Sequence, residues 1–176
     1  LKTQTPPPNR LRPFLACVLG AALALPGPAA AAPPGGEAAE ASPSIGQVVP
    51  AFTAETLDGS RRDVAYAKGS TTIVVFFLSS CPVCHRMLPE WNRAYARKPK
   101  GVEMVGVLLD REPPGWFSVN PVAFPVVRSP GREFLDTYRV HRVPVTMRVG
   151  AGGKVLDVGQ GALDPIRLGE LFRPPA

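Results

Sequence analysis

Apolar residues recur along this chain in three rhythms, and each predicts a different element. Ile73-Val74-Val75-Phe76-Phe77-Leu78 is apolar at every position, the pattern of a strand covered on both faces in the middle of a sheet. Met87, Leu88, Trp91, Ala94 and Tyr95 instead recur at helical spacing, so a helix follows that strand. Pro82 suits its first position, Pro89 interrupts its hydrogen-bond ladder, and Pro99-Lys100-Gly101 ends it. Shorter runs complete the order. Val48 to Leu57 reads as extended, Asp58-Gly59 as a turn and Arg61 to Tyr66 as a returning strand, which makes an N-terminal hairpin. Val102 to Leu109 and Phe124 to Val127 read as strands, with a loop or short helix between Arg111 and Asn120. Gly131 to Tyr138 and Pro165 to Phe172 read as helices. Val143 to Val149 and Lys154 to Val158 flank Gly150-Ala151-Gly152-Gly153 as an antiparallel hairpin. Strands alternating with helices predict an α/β fold: a central mixed sheet with helices on both faces.

The first forty residues follow a different pattern. Lys2, Arg10 and Arg12 precede an apolar run from Phe14 to Leu25 and then Ala29-Ala30-Ala31-Ala32, the order of a secretory signal peptide spanning 1–32. That run is about a dozen residues, short of the roughly 20 that cross a bilayer. Phe14-Leu15-Ala16-Cys17 resembles a lipoprotein cleavage box, but the apolar run continues past Cys17 instead of stopping before it. Residues 33–44 are Pro, Gly, Ala, Ser and Glu and cannot bury enough surface to offset their ordering entropy, so they read as a flexible linker. The folded domain is expected over 45–176, in the periplasm or secreted.

Cleavage changes the charge. The formal +6 is halved, because Lys2, Arg10 and Arg12 leave without any acid. The remaining basic residues are scattered among acids as solvated faces, which removes the case for a nucleic-acid partner. Cys17 leaves as well, so of three cysteines only Cys81 and Cys84 remain. A lone pair in an oxidising compartment is a functional pair rather than a disulfide framework.

That pair carries the chemistry. Cys81-Pro82-Val83-Cys84 stands where the apolar strand gives way to the helix. Thiols at this spacing close a small disulfide ring without moving the backbone, and the free amides of the first helical turn favour negative charge on the first sulfur. Cys81 is the candidate nucleophile and Cys84 the resolving thiol, with Ser80, Pro82 and Val83 as their immediate surroundings.

With Gly46 to Phe52, Leu57-Asp58-Gly59, the strand into Cys81-Pro82-Val83-Cys84, Pro89, and Val143-Pro144-Val145-Thr146 in place, the chain resembles the thioredoxin superfamily. The likeness is to its secreted thiol-disulfide oxidoreductases of the TlpA, ResA and CcmG type, and it runs from about Ile45 to Phe172. A weaker similarity, through the Pro-Val dipeptide, is to disulfide oxidoreductases of methylamine utilisation. The resemblance implies a thioredoxin-like fold and exchange of disulfides with protein substrates, in the reducing direction. Apocytochrome c or copper-site proteins are family-type clients, and a membrane-embedded redox donor would restore the dithiol. It implies no organic cofactor and no metal, and a monomer is expected. It also implies that Pro144 is cis and lies against the disulfide, so that the backbone at Val143 can pair with an extended substrate.

The chain departs from the pattern at three places. Ser80 stands where many relatives have Trp, Val75 where classical thioredoxins bury an acid, and Met87 where ResA-like proteins carry Glu. Deprotonation of Cys84 is then left to water, a more distant group or His141. Two other readings compete. Cys81 to His85 spells C-x-x-C-H, the c-type haem attachment signature, with His85 as one axial ligand and Met87, Met104, Met147 or His141 as the other. A peroxiredoxin-like peroxide reductase would share the fold, but Leu78 and Val75 stand where those enzymes have Thr or Ser and Pro. A zinc site from Cys81, Cys84 and His85 lacks a fourth ligand.

Overall fold

The computed structural model describes residues 42–174. The expected signal peptide, and the linker up to residue 41, lie outside the described residues. Strand β3 (Thr71–Phe77) is the centre of the fold, and each of its residues is buried. It lies in a five-stranded sheet of order β5-β4-β3-β6-β7, with β4 spanning Val102–Leu108, β5 Val126–Arg128, β6 Val145–Val149 and β7 Val155–Gln160. β3, β4 and β5 run parallel, whereas β6 and β7 are antiparallel additions, so the sheet is mixed as expected. Parallel neighbours need a crossover. Helix α1 (Pro82–Ala96) supplies it between β3 and β4.

The hairpin of β1 (Phe52–Glu55) and β2 (Arg61–Val64) forms a separate two-stranded sheet. Its turn is closed by the bond from Thr56 N–H to the Ser60 carbonyl at 2.8 Å, with Gly59 at φ 85°. α2 (Trp116–Val119), α3 (Arg132–Tyr138) and α4 (Pro165–Leu171) complete the order. Asp164 caps α4 by accepting from Arg167 N–H at 2.8 Å.

Most boundaries move by one to three residues from the sequence expectation. β3 begins two residues earlier, because the β-branched Thr71 and Thr72 already pair with Val102 and Glu103. It ends at Phe77, because the Leu78 carbonyl turns to accept from Cys81 N–H. α1 continues through Pro89, which stands on its exposed side.

Alternation along β3 divides the core in two. Ile73, Val75 and Phe77 pack with Met87, Leu88 and Trp91 of α1 and with Leu168 and Leu171 of α4. Val74 and Phe76 pack on the other face with Ala54, Val64, Tyr66 and Tyr138, against the hairpin and α3. Helices cover both faces.

Candidate active site

After Phe77 the chain makes one turn and enters α1. Cys81 is the helix N-cap: it has extended backbone angles, its carbonyl accepts from His85 N–H at 3.1 Å, and its sulfur accepts from Cys84 N–H at 3.2 Å. A cysteine here does what serine or aspartate does at other helix starts, satisfying an amide the helix cannot. Pro82 occupies the next position, where the missing N–H costs nothing.

The two thiols differ sharply in exposure. Cys81 is partly exposed, whereas Cys84 is 0% exposed and belongs to the core beneath it. Burial first, and then the neighbouring Cys81, push the Cys84 thiol up to about 12. It therefore holds its proton at neutral pH, and only Cys81 can be reached from solution. The positions where relatives carry a proton acceptor are buried and apolar here, Val75 in β3 and Met87 in α1.

Pro144 arrives at the same end of the sheet. Val145 pairs with Phe76, so one further step of the antiparallel register sets Pro144 beside Phe77, just before the turn that carries Cys81. The Val143–Pro144 bond is cis and Pro144 is buried. The Pro144 carbonyl is engaged by Gly161 N–H at 2.9 Å. The backbone groups of Val143, half-buried beside it, make no hydrogen bond to other described residues. Pro82 and Ser80 are exposed and Val83 half-buried around Cys81.

One neighbour of the pair escaped the sequence reading. Asp110 follows β4 by two residues, and the parallel register that pairs Phe77 with Leu108 carries it alongside Ser79. Its carboxylate accepts from Ser79 N–H at 2.7 Å, Ser79 Oγ at 3.0 Å, Ser80 N–H at 3.1 Å and Ser80 Oγ at 3.0 Å. Burial alone would raise its pKa, but these four bonds outweigh burial and hold it below the usual carboxylate range. The only signal in the sequence was an acid that abruptly closes an apolar strand.

His85 is more than a helix-surface residue. Its Nε2–H donates to the Ser79 carbonyl, and its ring meets Trp116 edge-on at 5.5 Å. His141, by contrast, is exposed and lines a cleft with Leu135 and Asp136 on the α3 side, away from Cys84. The haem reading loses its footing, since a macrocycle held through two thioethers must reach both sulfurs and Cys84 lies beneath the surface.

The redoxin family profile matches residues 44–169. The chain belongs to the redoxin family. This redoxin is 30% identical over 130 residues to thiol-disulfide oxidoreductase ResA of Bacillus subtilis, covering 72% of this chain and 73% of that one. It is 25% identical over 130 residues to sporulation thiol-disulfide oxidoreductase A of the same organism, covering 70% and 76%. Among solved structures it resembles a Chlorobium tepidum protein assigned as thiol:disulfide interchange protein DsbE, with TM-score 0.64, 25% identity and coverage of 74% and 96%. StoA from Bacillus subtilis shares the fold at TM-score 0.62 and 24% identity, covering 72% and 99%. Family membership and the close Cys81–Cys84 pair make the redoxin a thiol-disulfide oxidoreductase acting on thiol and disulfide substrates.

Proposed function

We propose that this redoxin works outside the cytoplasm as a reductant of protein disulfides, with Cys81 as nucleophile and Cys84 as resolving thiol. The observation that carries the assignment is the asymmetry of the pair: a partly exposed sulfur that accepts an amide hydrogen bond, above a buried thiol that keeps its proton. Thiolate is the attacking species, and amide donors at a helix start stabilise it. Cys81 thiolate attacks one sulfur of a substrate disulfide, forming a mixed disulfide and releasing the other substrate sulfur as a thiolate that takes a proton. Cys84 then attacks the Cys81 sulfur. The Cys81–Cys84 bond forms, the bond to substrate breaks, and the departing thiolate gains the proton that Cys84 gives up. Two electrons have passed to the substrate and the enzyme is the disulfide. Because the leaving thiolate is itself the final proton acceptor, an acid at position 75 or 87 is not required.

The substrate strand is read at Val143 and Pro144, where the unpaired backbone of Val143 supports pairing with an extended segment. Residues 1–32 act as the export signal and 33–44 as a tether. A membrane-embedded donor returns the dithiol, the clients are proteins such as apocytochrome c or copper-site cysteine pairs, and the enzyme is a monomer.

Equilibration against a glutathione series, followed by thiol alkylation, tests the direction. A midpoint near thioredoxin, about −270 mV, is expected, and one near DsbA, about −120 mV, overturns the reductase reading. Retention of exchange by Cys81→Ser overturns the nucleophile.

A further inference from the structure

We propose that Asp110 is a positioning residue for Cys81, which sets the redox equilibrium of the dithiol by clamping the two serines that lead into it. The inference rests on Cys81 being the exchanging thiol. All four hydrogen-bond donors of Ser79 and Ser80, two amides and two hydroxyls, converge on one carboxylate. The remaining backbone acceptor of Ser79, its carbonyl, is held from the opposite side by His85 of α1. The residues immediately before the nucleophile are thus tied both to the end of β4 and to the helix that Cys81 caps. A turn held by one or two bonds could rock. This one is fastened at five.

The use of such rigidity is specific to one redox state. In the dithiol, Cys81 Sγ accepts from Cys84 N–H at 3.2 Å, a bond that exists only while Cys81 is held at the N-cap geometry. In the disulfide the covalent bond itself fixes the two sulfurs. A loosened turn therefore weakens the reduced form more than the oxidised form. Asp110 is not placed as the proton acceptor: its hydrogen bonds among the described residues, one on Oδ1 and three on Oδ2, all go to Ser79 and Ser80 and none to either thiol. Asn cannot replace it, because its amide nitrogen would face either Ser79 N–H or Ser80 N–H, donor against donor.

The experiment is the dithiol–disulfide equilibrium of the mature protein against glutathione, read by alkylation, for wild type, Asp110→Asn, Asp110→Ala and the double variant Ser79→Ala/Ser80→Ala, with melting curves in parallel. Wild-type exchange is read first, since its absence removes the proposed function and not this clamp. With exchange present, Asp110→Ala shifts the equilibrium toward disulfide by about threefold to tenfold, and Asp110→Asn by somewhat less. The double serine variant, which keeps both backbone bonds, shifts it about twofold. A lower melting temperature with an unchanged equilibrium makes Asp110 merely structural and overturns the proposal. A shift toward dithiol overturns it too, because the carboxylate would then be acting by repelling the Cys81 thiolate. Should Asp110→Ala fail to fold, Asp110→Asn and the double variant are read against the same outcomes.

Discussion

The two faces of β3 are closed in different ways. On the α1 face, Ile73, Val75 and Phe77 pack into aliphatic, aromatic and sulfur-bearing side chains, with the Trp91 indole N–H satisfied by Thr146 Oγ1 at 3.2 Å. On the α3 face, Val74 and Phe76 pack toward a buried tyrosine pair in which Tyr66 OH donates to Tyr138 at 2.7 Å and Tyr138 OH donates to the Pro50 carbonyl. The second face is sealed, since each of those buried hydroxyls has a protein partner. The first holds the buried Trp116 indole N–H, which has no partner among the described residues, and ends in a thiol at the surface with another beneath it. Reactivity and stability are thus assigned to opposite sides of one strand, and substitutions should separate them.

The largest expected effect breaks the reactive side alone. Cys81→Ser lowers disulfide reduction by at least about 10³-fold while barely changing the melting temperature. Cys84→Ser instead stops after the first step and accumulates a mixed disulfide with substrate, visible on a non-reducing gel. The next effect breaks the other side alone. A Cβ at Gly153 would stand 1.9 Å from the Val49 carbonyl oxygen, at a φ of +82° that side chains rarely adopt. Gly153→Ala should therefore cost about 3 kcal/mol in chemical denaturation without moving the glutathione equilibrium. A large change in that equilibrium would show that the two sides are not separable.

Tyr138→Phe sharpens the contrast. It strips partners from both the Pro50 carbonyl and Tyr66, costing about 2 kcal/mol, against about 1 kcal/mol for Tyr66→Phe, which leaves the bond to Pro50 in place. The smallest effect is a pH slope. Folded Cys84 keeps its proton well above the 9.0 at which an unfolded thiol loses it, so the folded dithiol binds more protons than the unfolded chain. Its stability is full below pH 9 and falls as pH rises toward 12. Tyr138, also pushed up to about 12 by burial, adds a decline that starts at 10. The disulfide form has no Cys84 proton to lose. Between pH 9 and 10 the reduced protein should lose about 1 kcal/mol relative to the oxidised protein, measured by urea titration of each form. Parallel slopes would show that Cys84 is not held protonated.

Much of this contrast was legible in the sequence. An uninterrupted apolar run foretold a strand buried on both faces, and a proline one residue after a cysteine foretold where the next helix begins. Both are local patterns, decided by side chains within a few residues of one another. Pro144 was legible only through its resemblance to a family, and the structure places it beside Phe77 through the register of β6 on β3. Asp110 was invisible because its partners Ser79 and Ser80 lie 31 and 30 residues away, and only the pairing of β4 with β3 brings them together. The contact of His85 was hidden for a related reason: its ring reaches back over the turn to the Ser79 carbonyl.

The residues by themselves determined that two thiols stand at a helix start, three positions apart, at the end of a core strand, because that spacing and that proline are sufficient to build the turn. Tertiary structure alone decided which sulfur faces water and which lies in the core, and what holds the turn still. Those properties depend on α1 lying down on β3 and on β4 lining up beside it, contacts between segments that no local pattern encodes.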